Sequence, residues 1–263
     1  MTAFAQVVEP FIVSEKEGFI AVFKPAGMHS VPDLTLWLTS ERPGLAECFA
    51  ASADGRMKAE SGMLSRLDRA TSGLVLFATS PEHFLAVLEA QRVGRMLKYY
   101  RIEASKAEGS GELPGSRPLR CPVPGIGPLF DRAGESKEAA LTIASYFRSY
   151  GEKGARVACV AAESRSETKK ALSASLHTTR ILRTRGVSIE DFAGFGPVVE
   201  VEAAIASGFR HQVRAHLAWA GYPIVGDSLY GGRAASRLYL ECHRVELALQ
   251  SSPPIAFESY EPS

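Results

Sequence analysis

The chain has 263 residues, 46% hydrophobic and 9% aromatic, enough to bury a full core in one large domain or two small ones. A formal net charge of +1 excludes a global basic field, so any grip on nucleic acid has to come from a local patch. The four cysteines, Cys48, Cys121, Cys159 and Cys242, form no C-x-x-C pair, which excludes a zinc ribbon or dithiol motif and predicts free thiols in a reducing compartment.

The opening residues lack a basic stretch followed by an apolar run, and nowhere do about 18 apolar residues follow one another. The expectation is a soluble, cytoplasmic protein without a membrane span. "PFIVSEKEGFIAVFKPAG" reads as a β-hairpin closed by Pro25 and Gly27, and "LTLWL" and "LAECFAA" as helical pieces. "GLVLFAT" has the length and continuity of a buried central strand. Ser80 and Pro81 then open a helix that places Phe84, Leu85, Leu88 and Gln91 at helical spacing before Gly94 stops it. "KYYRIEA" is the next strand.

Residues 105–134 are crowded with Gly and Pro and predict a long loop. Residues 135–150 predict an amphipathic helix, with Ala139, Ile143, Phe147 and Tyr150 on one face and Gly151 as its stop. "RVACVAA" predicts a strand, and "SRSETKKALSAS" a solvated crossing that exposes Lys169 and Lys170. "HTTRILRTRG" and "PVVEVEAAIA" alternate as paired strands joined by the loop "VSIEDFAGFG". Over residues 210–221 a helix places Val213, His216, Leu217 and Ala220 on one stripe, with Arg210 and Arg214 on its flank. "YPIVGD" predicts a short strand and "RLYLECHRVELAL" two more. Strands dominate in irregular order, so the fold class is α+β on a mixed, mainly antiparallel sheet with flanking helices.

Among candidate sites, His211 and His216 are five apart, turned to different helix faces, and no carboxylate or cysteine completes a zinc set. His216 reads as a satisfied core histidine. There is no phosphate-cradling P-loop, no nucleophile elbow and no dinucleotide fingerprint, so neither metal nor cofactor is expected. What remains is "SRLDRATSGLVLFA", which sets Asp68 between Arg66 and Arg69. Two readings stay open at this point: a salt-bridged turn, or a carboxylate held ionised by guanidinium groups and suited to a nucleophile rather than a general acid.

That stretch resembles the R-L-D-x-x-T-S-G-L motif of the RluA-like family of RNA pseudouridine synthases. "FIAVFKPAGMHSVP" is similar to the family's opening strand and K-P-x-G turn, "KYYRIEA" to its K-x-Y strand, and "GFRHQVRAHLAWAGYPIVGDSLYGG" to its third block. Four blocks in order cover most of the chain outside residues 113–172. The resemblance implies Asp68 as catalytic aspartate, Tyr100 as the tyrosine that stacks on the target base, and Arg214 as the arginine that pairs with the aspartate. It further implies Arg66 as positioning the same loop and the RNA backbone, Lys24 as a phosphate or loop contact, Arg69, Lys98, Arg210 and His211 as contacts to the RNA, and Leu240 as an apolar residue by the site, an ordinary core leucine being the alternative. Ser65 stands where the family has His, Phe209-Arg210 where it has Arg-Thr, and Glu241-Cys242 where it has His-Ala.

The implied whole is a single catalytic domain over residues 1–263, with 113–172 as an insertion or divergent segment and no separate N-terminal RNA-binding domain. It would act as a monomer on ribosomal or transfer RNA whose target uridine is flipped out, with no cofactor. Two rivals share the residues. One is an RNA-binding protein that keeps the fold without turnover. The other is an N-glycosidic hydrolase that would need a second carboxylate, for which Asp227 is the only motif candidate, although a turn or cap role suits it better.

Overall fold

The structure, a computed structural model, describes residues 9–50, 55, 60–107, 137–162, 173, 175–187, 198–250 and 253–259. Most of the expected loops over residues 105–134 and 187–196, most of the crossing with its Lys169 and Lys170, and Cys121 lie outside them. The chain divides into two compact units, one of Ala3–Tyr99 with Glu241–Ser263 and one spanning Tyr100–Leu240.

In the first unit, β1 (Phe11–Lys16) and β2 (Phe19–Lys24) form the expected hairpin. Its two-residue turn, Glu17 and Gly18, has φ of 52° and 82°, the mirror-image turn whose twist matches that of paired strands. β3 (Ser72–Ala78) pairs antiparallel with β2, from Phe19 opposite Ala78 to Lys24 opposite Gly73, and both strands are buried along their whole length. β9 (Leu240–Leu247) runs parallel to β3 at Ser72–Glu241 and Gly73–Cys242, and β10 (Ile255–Glu258) pairs antiparallel with β9. Gly73 cannot be replaced cheaply: its φ is +115° and a Cβ there would lie 2.3 Å from the Cys242 carbonyl oxygen.

Helices α1 (Thr35–Glu41) and α2 (Pro43–Ala50) fall where helical pieces were expected. α3 (Pro81–Arg92) opens on Ser80, whose hydroxyl accepts the His83 N–H. Its buried stripe is Phe84, Val87 and Ala90, not the set expected from the sequence. Leu85 is exposed, because one residue turns the helix by about 100° and carries it off the line of Phe84.

Strand β4 (Met96–Ser105) carries the chain into the second unit, where the strand order runs from its latter half through β8 (Val198–Ile205), β7 (His177–Val187) and β5 (Lys137–Tyr150) to β6 (Arg156–Val160). The β5–β6, β5–β7 and β7–β8 pairs are all antiparallel. The architecture is α+β on a mixed sheet, as expected.

Three local readings are corrected. Residues 137–150 form a strand, not a helix. Spacing by four is a multiple of two, so Ile143 and Phe147 satisfy both periods; burial of Ile143, Ser145 and Phe147 in alternation, with β-branched and aromatic neighbours, favours the strand. "YPIVGD" makes only an isolated bridge, Ile224 to Ala104. The expected pair of strands in residues 237–249 is the single strand β9; β10 comes later.

Helix α4 (Gln212–Trp219) is buried all round from Gln212 to Ala218 rather than along one stripe. Its Ala215 and Ala218 pack with Phe147, Val157 and Tyr230. Phe209, just before it, lies flat on Phe147 with ring centroids 5.0 Å apart and planes at 7°. His216 is fully buried, with Nδ1 2.7 Å from Thr179 Oγ1 and Nε2 3.0 Å from Ser145 Oγ. A neutral imidazole satisfies both hydroxyls, donating to one and accepting from the other.

Burial, with a smaller contribution from His177, pushes the His216 pKa down to about 3. The unfolded chain therefore binds this proton between its ordinary value and that depressed one, so stability is present above the ordinary value and drains away as pH falls. Lowering pH from 7 to 5 should cost about 2 kcal/mol in urea unfolding on this account. A midpoint unchanged across that window would contradict it.

Candidate active site

Asp68 belongs to a loop that arrives alongside β3, where the Leu64 N–H donates to the Leu76 carbonyl at 2.9 Å, and turns back into β3 itself. The turn is closed by the Thr71 N–H on the Asp68 carbonyl at 3.0 Å, with aspartate at the first position that β-turns favour. The "KPAG" segment after β2 is sewn to this loop. The Gly27 N–H donates to the Arg69 carbonyl at 2.8 Å, and Arg69 Nε donates back to the Gly27 carbonyl at 2.9 Å. Ser30 Oγ meets both the N–H and the carbonyl of Leu67, at 3.0 and 2.9 Å.

Lys24 is fully buried. Its ammonium donates to the carbonyls of Pro25 and Met28 at 2.9 and 3.0 Å, and to that of Arg69 at 3.4 Å. Three donors meet three acceptors, which is how a buried lysine escapes an unsatisfied charge. Burial still pulls its pKa down to about 8, against the opposing charges of Asp68 and Asp33. Lys98, on β4, is also buried; burial lowers its pKa, with Cys242 and Asp68 acting the other way. Two ammonium groups stripped of water thus lie in the field of Asp68.

These positions correct the sequence reading of a basic rim. Lys24 and Lys98 are inside the protein and cannot stand as surface phosphate contacts while so buried, and Lys24 is instead the loop contact that was its alternative. Arg69 is exposed but committed to Gly27. Arg66 is exposed and makes a loose 3.8 Å approach to Glu60. Ser65, at the position of the family's histidine, is buried with no hydrogen-bond partner for Oγ among the described residues.

In the second unit Arg214 is buried and holds Asp227 by a two-pronged pair, Nε to Oδ2 at 2.8 Å and Nη2 to Oδ1 at 2.7 Å. Asp227 Oδ1 also accepts the Leu229 N–H at 3.1 Å. With both oxygens engaged, Asp227 is poorly placed to activate a water as a hydrolase would require, and it does act as a turn residue. The Arg214 guanidinium lies 5.3 Å from the ring centre of Tyr230. Burial raises the Tyr230 pKa, so the hydroxyl stays protonated; it accepts the Val157 N–H at 2.9 Å and meets His211 Nδ1 at 3.0 Å. His211 itself adopts the left-handed conformation, φ 56°, rare outside glycine and fixed here by that contact and by the start of α4.

Tyr100 is buried on the face of β4 that alternation also gives to Lys98. Arg210 is exposed, its guanidinium bonded to the carbonyls of Gly154 and, at 3.4 Å, Arg156. Leu240 is buried on β9. Ser30 and the Arg214–Asp227 pair were not foreseen. An aspartate in "VGDSLYGG" after a helix bearing arginine was the available signal for the pair, whereas nothing local marks Ser30.

Fold and site together define an α+β protein with a carboxylate-bearing loop tied down beside buried lysines. The chain belongs to the RNA pseudouridylate synthase family, whose model matches residues 18–219. It is 44% identical over 57 residues to an RNA pseudouridine synthase 2, chloroplastic, of Arabidopsis thaliana, a match covering 22% of this chain and 13% of that one. With an uncharacterized RNA pseudouridine synthase of Chloroflexus aurantiacus it shares 29% over 224 residues, 82% of this chain and 53% of the relative. The chain thus spans about half or less of the length of these relatives. The solved structure of human RNA pseudouridylate synthase domain containing 1 shares the fold with TM-score 0.63 at 19% identity, over 97% of this chain and 84% of that one.

Removing Asp227 alone would leave the Arg214 charge buried without its two-pronged partner. Asp227→Ala should destabilise the protein by about 3–5 kcal/mol in urea unfolding, and Arg214→Met with Asp227→Leu by much less. Equal losses in the two variants would show that the pair is not what the fold needs there.

Proposed function

We propose that the chain is an RNA pseudouridine synthase in which Asp68 is the catalytic aspartate. In that reaction the uridine C1′–N1 bond breaks, the uracil turns within the site, and C1′ bonds to C5, which then releases its proton while N1 ends protonated. Atoms balance without a redox partner. Asp68 acts on the sugar or base, and Tyr100 supplies a face in place of the stacking that the flipped uridine loses. Arg214, held in a fixed orientation by Asp227, is assigned the role that the family resemblance implies for it, the arginine partner of the aspartate.

The observation that carries the reading is the Asp68 loop itself: a partly exposed acid on a loop tied at both flanks, with buried Lys24 and Lys98 in its field. Family membership supports it from a separate direction. Arg66, Arg69, Arg210 and His211 are assigned to the RNA, while Lys24 and Lys98 are reassigned from phosphate contacts to the electrostatics of the acid. The substrate is assigned to ribosomal or transfer RNA and the setting to the cytoplasm, where a monomer with free thiols is at home; among the described residues no disulfide joins Cys48, Cys159 and Cys242. Among the described residues no helix is long and apolar enough to cross a membrane.

Bulk RNA tritiated at uridine C5 tests the proposal. Wild type should release label and leave pseudouridine in the nuclease digest, and Asp68→Asn should fall to the level of RNA alone. Binding without release by either protein, on unmodified transcripts as well, would establish the RNA-binding rival, and free uracil the hydrolase.

A further inference from the structure

Ser30 is buried and lies 37 positions before Leu67, yet its single hydroxyl serves both polar groups of that residue. It accepts the Leu67 N–H at 3.0 Å and donates to the Leu67 carbonyl at 2.9 Å. A partner strand offers a residue the same two bonds from a second backbone, and here one side chain replaces it. Leu67 is buried as well, so loss of the hydroxyl would leave a donor and an acceptor without partners at one residue. The next residue but one, Arg69, is tied to Gly27 by backbone and side chain alike. Asp68 is the residue between the two ties. Ser30 is held in its turn: its carbonyl accepts the Thr35 hydroxyl at 3.2 Å, and α1 follows at once.

We infer that Ser30 is a positioning residue for the reaction, fixing the peptide that presents the Asp68 carboxylate through its paired bonds to Leu67. The inference rests on the proposed role of Asp68. Nothing in the hydroxyl reaches substrate; it acts through the Leu67 backbone. A carboxylate that must approach one atom of the uridine loses rate steeply when its loop drifts by about 1 Å.

The test compares wild type, Ser30→Ala and Ser30→Thr, the last keeping the hydroxyl, at a temperature where circular dichroism shows all three folded. Ser30→Ala should lower the single-turnover rate of tritium release roughly 10- to 100-fold with RNA affinity unchanged, and Ser30→Thr should recover most of that loss. Hydrogen exchange at the Leu67 amide gives a readout that does not depend on turnover. Exchange should be slow in wild type, faster by about tenfold or more in Ser30→Ala, and slow again in Ser30→Thr. Full single-turnover rate in folded Ser30→Ala overturns the inference. So does fast exchange at Leu67 in wild type, even if Ser30→Ala fails to fold. Absence of turnover in wild type, with Leu67 protected through Ser30, would sink the proposed reaction and leave the tie standing.

Discussion

The first unit depends on satisfying one buried positive charge. Lys24 ends β2 inside the protein, and its ammonium is tolerable there only because three carbonyls converge on it. Two of them, from Pro25 and Met28, force the chain after β2 to curl around its own lysine. The third comes from Arg69, so the same charge draws in the loop that bears Asp68. Curling the "KPAG" segment also places Gly27 and Ser30 where they can grip either side of the acid. Solvation of a lysine and presentation of a carboxylate are one piece of geometry.

The second unit solves a related problem with the opposite division of labour. There the buried cation, Arg214, is matched by a full carboxylate, and the pair leans on the ring of Tyr230. Tyr230 then ties β6 to the start of α4 through Val157 and His211. A planar guanidinium suits this role as an ammonium would not, because two parallel bonds fix its orientation as well as its position.

Much of this was legible where the cause is local in sequence. The hairpin, the long apolar β3 and the Ser80 cap are each written in a few adjacent residues, and so is the acid between two arginines. Reading failed where local patterns are degenerate or partners are distant. Ile143 and Phe147 fit a helix and a strand equally, and only the neighbours of β5 choose between them. Lys24 and Lys98 look like surface cations because charge is visible in a sequence and burial is not. Ser30 and Leu67 carry no mark of each other, since a hydroxyl that replaces a strand leaves no periodic trace.

The first unit is assembled from two stretches of chain that are far apart in sequence, Ala3–Tyr99 and Glu241–Ser263. β3 meets its parallel neighbour only through residues at the start of that final stretch, and Gly73 is shaped to receive them. During synthesis, then, the hairpin and β3 emerge long before β9 exists to cover the β3 flank. Residues 62–64 already line β3 at Leu76–Ala78, so the part of its edge that waits while Tyr100–Leu240 is being made is its start, Ser72 and Gly73. Native pairing of β3 with β9 thus has a high sequence separation by construction, the kind of contact whose loop-closure entropy must be met before it stabilises the fold.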